Sequence, residues 1–265
     1  IDLMVGFNGA YKVGFWTPVK VQVEGIDPET DVSVEITVPD GDGLPTRYVM
    51  SKDGSCVHSD KIAEYLLCVK FGRVHGNLTV RVMVDQHVAV SRTFLPGDFP
   101  AALPADQQLV VHLGAEAGVE EASQILQQKN LHVSQLEQGV RLPDHWWCYE
   151  GIDTLVITTG SGNLADWVSM DQVKAMLHWI RMGGQMILSV GRQGEQLLGV
   201  GGLLAEFVPG EFEEVVEQCQ TVGLENFTDV AQPVGVHRDT EGRCELDLAL
   251  IARPLGKVEV LERRA

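Results

Sequence analysis

The chain has 265 residues, enough for one large domain or two ordinary ones, and 45% are hydrophobic, so a full core can form and wholesale disorder is excluded. Lys and Arg number 20 against 37 Asp and Glu, a net charge of −17. A field of that sign repels phosphate backbones and anionic headgroups, so no nucleic-acid partner is predicted. No apolar run reaches spanning length, and this segment is not expected to insert into a membrane.

Residues 1–97 read as all-β. Val19-Lys20-Val21-Gln22-Val23 and Val32-Ser33-Val34-Glu35-Ile36-Thr37-Val38 alternate apolar with polar, the period of a strand with one face in a core and one in water. Further strands are predicted over Thr46–Met50, Tyr65–Phe71, Asn77–Val84 and His87–Phe94, separated by glycine-containing turns. Six or seven short strands at this spacing predict an antiparallel sandwich of immunoglobulin-like topology, although the Cys…Trp…Cys signature of antibody domains is absent. Asp40-Gly41-Asp42-Gly43 reads as a hairpin turn; as a Ca²⁺ loop it lacks the later bidentate Glu.

Leu95 to Pro104 carries three prolines and a glycine, which predicts an extended linker over 98–106. The periodicity then changes. Leu109-Val110-Val111-His112-Leu113 is a short apolar run, as for a strand covered on both faces. Gly118–Lys129 spaces its apolar residues as a helix does; Leu131–Leu136 and Asp153–Thr158 read as the next strands.

Ser169 followed by Gln172 forms a capping box. Val173, Met176, Leu177 and Ile180 then make one helical stripe, and Gly183-Gly184 ends it before the strand Met186-Ile187-Leu188. Strand–helix–strand units of this length need a crossover, so a mainly parallel sheet is expected over 107–265. Glu211–Cys219 fits a helix or a strand; Leu246–Ile251 and Lys257–Leu261 read as strands.

Tyr149-x-Gly151-x-Asp153, the helix end Trp179-Ile180-Arg181-x-Gly183-Gly184 and the strand running to Gly191 together resemble the class I glutamine amidotransferase-like fold. They are most similar to its non-catalytic versions in large bacterial surface or membrane-anchored proteins, where such a domain often follows a β-sandwich. The run Gly14-Phe15-Trp16-Thr17-Pro18-Val19 is similar to the opening of those sandwiches. The resemblance implies a flavodoxin-like α/β domain, an extracytoplasmic location, and partners that are other segments of a longer parent chain or other proteins. Active members place a Gly-x-Cys-x-Gly elbow after this strand and a His-x-Glu pair later. Here the elbow position reads Ser189-Val190-Gly191-Arg192-Gln193, and His237 is followed by Arg238-Asp239. Without a thiolate aimed at an oxyanion hole no glutaminase chemistry is expected, and a non-enzymatic structural or interaction module follows.

Two groups are candidates for contact. Thr158 to Asn163 follows a strand at its carboxyl end, where open α/β sheets hold ligands; Thr159, Gly160, Ser161, Gly162 and Asn163 would bring backbone N–H groups to an anion, or form a simple turn. Trp146, Trp147 and Tyr149 would stack on a sugar ring or a partner protein, or cap the sheet edge. A rearranged hydrolase would need Ser161 or Ser189 beside His237. Gly199-Val200-Gly201-Gly202 lacks a dinucleotide fingerprint, and the eight histidines never take zinc-site spacing, so neither cofactor nor metal is expected. Cys56, Cys68, Cys148, Cys219 and Cys244 are too scattered for a disulfide scaffold, with Cys56–Cys68 the one hairpin pair considered. The abrupt strand-like start at Ile1-Asp2-Leu3-Met4-Val5 and the stop just after a strand predict a fragment of a longer protein.

Overall fold

The computed structural model describes residues 1–25, 32–50, 56–59, 62–114, 130–137, 139–159, 164–166, 168–190, 193–208, 248–252 and 258–262. The expected helix at 118–129, the segment 211–219 and His237 lie outside them.

The first half is two facing antiparallel sheets. One has the order β1 (Asp2–Val5), β2 (Trp16–Glu24), β6 (Ile62–Lys70), β5 (Cys56–Ser59); the other runs β4 (Pro45–Met50), β3 (Val32–Pro39), β7 (Leu78–Val84), β8 (His87–Phe94). The alternation seen in the sequence sets the faces: Val32, Val34, Ile36 and Val38 on β3 are buried, as are Val19, Val21 and Val23 on β2, and they meet in one core. Asp40 closes the β3–β4 hairpin, its carboxylate accepting the N–H groups of Asp42 (3.0 Å) and Leu44 (2.8 Å). The strand β8 spans the residues expected of it, with only Phe94 buried. It is an edge strand, paired with β7 alone among the described strands, and its Arg92 covers the Phe94 ring at 4.5 Å and donates to the Ile1 carbonyl at 2.6 Å.

The second half is a six-stranded sheet in the order β10 (Leu131–Leu136), β9 (Gln108–Gly114), β11 (Thr154–Thr158), β12 (Gln185–Ser189), β13 (Leu248–Ala252), β14 (Val258–Glu262). The first four strands are mutually parallel, as predicted; β13 runs antiparallel to β12, and β14 antiparallel to β13. Helix α1 (Met170–Arg181) carries the capping box, and its stripe Val173, Met176, Leu177, Ile180 is buried on the sheet. Gly184 is required where it stands, because a Cβ there would meet the Trp179 ring at 2.3 Å. A short helix α2 (Gly194–Leu198) ends at Gly199, and a Cβ on Gly202 would collide with the Leu197 carbonyl at 2.4 Å, so this glycine run is packing rather than a nucleotide loop.

The two halves are fastened together at several points. The loop 6–15 between β1 and β2 turns on Gly6 (φ 71°) and Gly9 (φ 86°) and puts Phe7 and Ala10 into the core of the α/β half. Ser134 donates to the Phe7 carbonyl at 2.7 Å. The Lys12 ammonium, 5% exposed, pairs with Asp153 at 2.6 Å, and the same carboxylate oxygen accepts the Leu109 N–H. Cys68 of β6 is disulfide-bonded to Cys148, 80 residues on. The hairpin pair Cys56–Cys68 is therefore not formed; Cys56 instead lies across from Tyr65 and shares a hydrogen bond with it. The proline-rich segment, expected as an extended linker, is strapped to the fold between turns at 96–97 and 105–106: Leu103 bridges to Lys12 in parallel fashion and Ala102 is buried in the sandwich core.

Candidate functional site

In a parallel sheet of this order the chain leaves β9 toward β10 on one side and leaves β11 toward β12 on the other. The carboxyl ends of β9 and β11 thus form the switch point where such sheets hold ligands. Here the described part of that position is filled. Gly114 ends β9 at φ 106°, and a Cβ on it would lie 1.8 Å from the Thr158 carbonyl oxygen, so the two strand ends touch. Beneath them His112, 3% exposed, sits with its Nε2 3.1 Å from the Thr158 hydroxyl. Thr159 is buried as well. Its N–H donates to the Ser189 carbonyl (3.0 Å) and its hydroxyl to the Val190 carbonyl (2.7 Å), which sews β11 to the end of β12. Thr159 acts as a clasp whose polar groups are directed at backbone. Gly160, Ser161, Gly162 and Asn163, the other residues of that candidate, lie outside the described residues, as do Gly191 and Arg192.

The aromatic candidate divides. Tyr149 is fully buried: its hydroxyl donates to the Pro143 carbonyl at 2.7 Å and its ring packs between Phe7 (5.8 Å) and Trp179 (6.1 Å). Burial first, then the nearby Asp144 charge, pushes its phenol well above the ordinary tyrosine range. As a core ring that joins the two halves, it presents nothing to a partner.

Trp146 and Trp147 are only half-buried, and they stand in a single 3-10 turn, Trp146–Tyr149. Trp146 stacks on His178 from the last turn of α1, centroids 5.1 Å apart and planes 25° apart, and meets Trp147 edge-on at 6.0 Å. The His145 ring stands edge-on to Trp147 at 4.5 Å, and its Nδ1 lies 2.6 Å from the Asp144 carboxylate. Both histidines are exposed. The result is an outward patch of two indoles flanked by two imidazoles, able to stack on a flat apolar face and to hydrogen-bond around its rim. The turn is held from below by the Cys148 disulfide and by Gln172, which donates to the Leu142 carbonyl at 2.7 Å. His145 and His178 escape sequence reasoning because they lie 33 residues apart and only the packing of the turn on α1 brings them to one patch. His112 had a faint signal, a polar residue inside an apolar strand run. No cluster of three or more metal-ligating side chains occurs among the described residues.

A domain of unknown function (DUF8726) matches residues 1–96, ending two residues past β8 and covering less than half of the chain. No characterised protein matches the chain at the sequence level. Among solved structures, the cell-surface-expressed multi-modular chitinase ChiW of Paenibacillus sp. FPU-7 is similar at 15% identity over 66% of this chain, with a TM-score of 0.26. The chain spans 14% of that protein's length.

Proposed function

We propose that this chain is a non-enzymatic interaction module of a larger extracytoplasmic protein, in which an immunoglobulin-like sandwich and an amidotransferase-like α/β domain act as one rigid body. The observation that carries this reading is the Cys68–Cys148 disulfide across the two halves. Such bonds persist in oxidising compartments and are rare in the cytosol. No helix among the described residues is long and apolar enough to cross a membrane. The sheet orders β1-β2-β6-β5 and β4-β3-β7-β8 follow the A-B-E-D and C′-C-F-G arrangement of immunoglobulin-like sandwiches, which supports the finer fold. The β10-β9-β11-β12 order supports a flavodoxin-like second half.

The half-buried Trp146–Trp147 patch favours recognition of a carbohydrate or a protein surface by stacking. Two experiments test the proposal. Purified protein screened against amide, ester and peptide substrates is expected to be inert; turnover above the uncatalysed rate, whether or not Ser189→Ala abolishes it, means that a catalytic centre exists. Binding to insoluble polysaccharides and to extracts of surface proteins is expected to drop at least tenfold in Trp146→Ala/Trp147→Ala, the size typical of losing an aromatic anchor of about 1.4 kcal/mol or more. Equal binding by the double variant removes the patch from the proposal.

A further inference from the structure

The seam between the two halves holds a narrow, partly open cavity of about 20 Å³, walled by Phe7 and Leu66 from the sandwich side and Leu136 from the α/β side. Two cations line it, Lys20 and Arg141. Lys20 lies 3.7 Å from Glu64, and the same Glu64 oxygen also accepts the Gln22 amide at 3.1 Å, so that carboxylate is already engaged. Arg141 forms no salt bridge among the described residues, and its Nη1 is buried without a hydrogen-bond partner. Arg141 lies near enough to the Cys56 thiol to favour its charged form, but burial outweighs it and raises that thiol above its ordinary range.

A cationic donor left unpaired in a buried site is strongly unfavourable. Apart from Lys20 and Arg141 the lining side chains are apolar, and none carries an oxygen acceptor. A water between the two cations would find donors on both and no acceptor on either for its own protons, whereas a buried water ordinarily makes about three hydrogen bonds. An anion removes both deficits at once. Its body must be small, because the space is narrow, and singly charged, because Lys20 is already partly neutralised.

We infer that this seam cavity is a binding site for a small monovalent anion, a halide or the carboxylate of a very short acid, held by Arg141 with Lys20 as the second cation. The site draws its walls from both halves, so occupancy ties their docking to the anion concentration. Domain seams are a common place for such ligands.

Bromide-soaked crystals of the intact chain, measured at the bromine edge, are expected to show an anomalous peak in contact with Arg141 Nη1. In solution, thermal unfolding at matched ionic strength in sodium chloride, sodium formate and sodium gluconate (an anion too bulky for the cavity) separates the two sources. The midpoint is expected to rise by about 2–4 °C in the salt that binds, relative to gluconate. A rise in chloride assigns a halide; a rise in formate alone assigns a carboxylate. Arg141→Gln is expected to abolish the difference and Lys20→Met to reduce it. Equal midpoints in all three salts overturn the inference: without a bromide peak the guanidinium is simply hydrated, and with one the bromide is an adventitious ion only. These wild-type readouts stand even if Arg141→Gln fails to fold.

Discussion

Replacing Cys68 and Cys148 together by alanine isolates what the cross-domain bond contributes. The bond closes a loop over 80 residues, for which the chain-entropy relation gives about 4.5 kcal/mol at 25 °C. Cys148 is 1% exposed, so alanine leaves a small void without burying a hydroxyl, at a cost of about 1 kcal/mol. Against this, the Lys12–Asp153 pair, Phe7 in the opposite core and the Leu103 strap still restrain the halves, and such restraint in a partly unfolded chain lowers the entropic gain. The expected net loss is therefore about 3–5 kcal/mol, or roughly 8–15 °C in midpoint for a chain of this size. Urea unfolding followed by tryptophan fluorescence under non-reducing conditions measures it, with Trp146, Trp147 and Trp179 reporting on the α/β half and Trp16 on the sandwich. Wild type treated with reductant should approach the double variant. If the double variant unfolds within about 0.5 kcal/mol of the untreated wild type, or if alkylation of the unfolded, unreduced chain labels Cys68, the bond is not the staple described here.

Asp153→Ala strands the buried Lys12 ammonium and frees the Leu109 N–H, and is expected to cost about 3–5 kcal/mol in urea unfolding, whereas Lys12→Met, which keeps the stem and removes the charge, should cost less. Gly184→Ala drives a methyl group into the Trp179 ring and should lower stability by about 1–3 kcal/mol, with a shift in tryptophan emission as the ring moves. Ser169→Ala removes the capping box of α1 at a cost of about 1 kcal/mol, read as a lower urea midpoint at unchanged slope. Burial raises the phenols of Tyr149 and Tyr11 above the ordinary tyrosine range, so the folded state holds their protons more tightly than the unfolded one. Their contribution is complete below about pH 10 and is lost as pH rises beyond it. The urea midpoint should fall progressively above that pH, and Tyr149→Phe should blunt the alkaline fall while lowering the plateau through loss of the bond to Pro143; a parallel fall in the variant would assign the effect to other groups.

The sequence by itself determined what depends on near neighbours. Alternation in Val32–Val38 fixed a strand with one buried face, Ser169 with Gln172 fixed the start of α1, and the change of period after the proline-rich stretch separated a β half from a parallel α/β half. What escaped were relations between residues far apart in the chain. The loop of Gly6 to Gly14 reads as a turn, yet it delivers Phe7 into a core formed by residues more than 100 positions later. Cys68 pairs with Cys148 rather than with nearby Cys56 because the 3-10 turn at 146–149 docks on β6, a fact that no spacing rule contains. The three neighbouring aromatics looked equivalent in the sequence. The turn directs Tyr149 inward between Phe7 and Trp179 and leaves Trp146 and Trp147 half outside with His145 and His178. Local propensity acts through backbone geometry over a few residues, while burial is settled by whatever packs against a side chain, and here that neighbour belongs to the other half of the molecule.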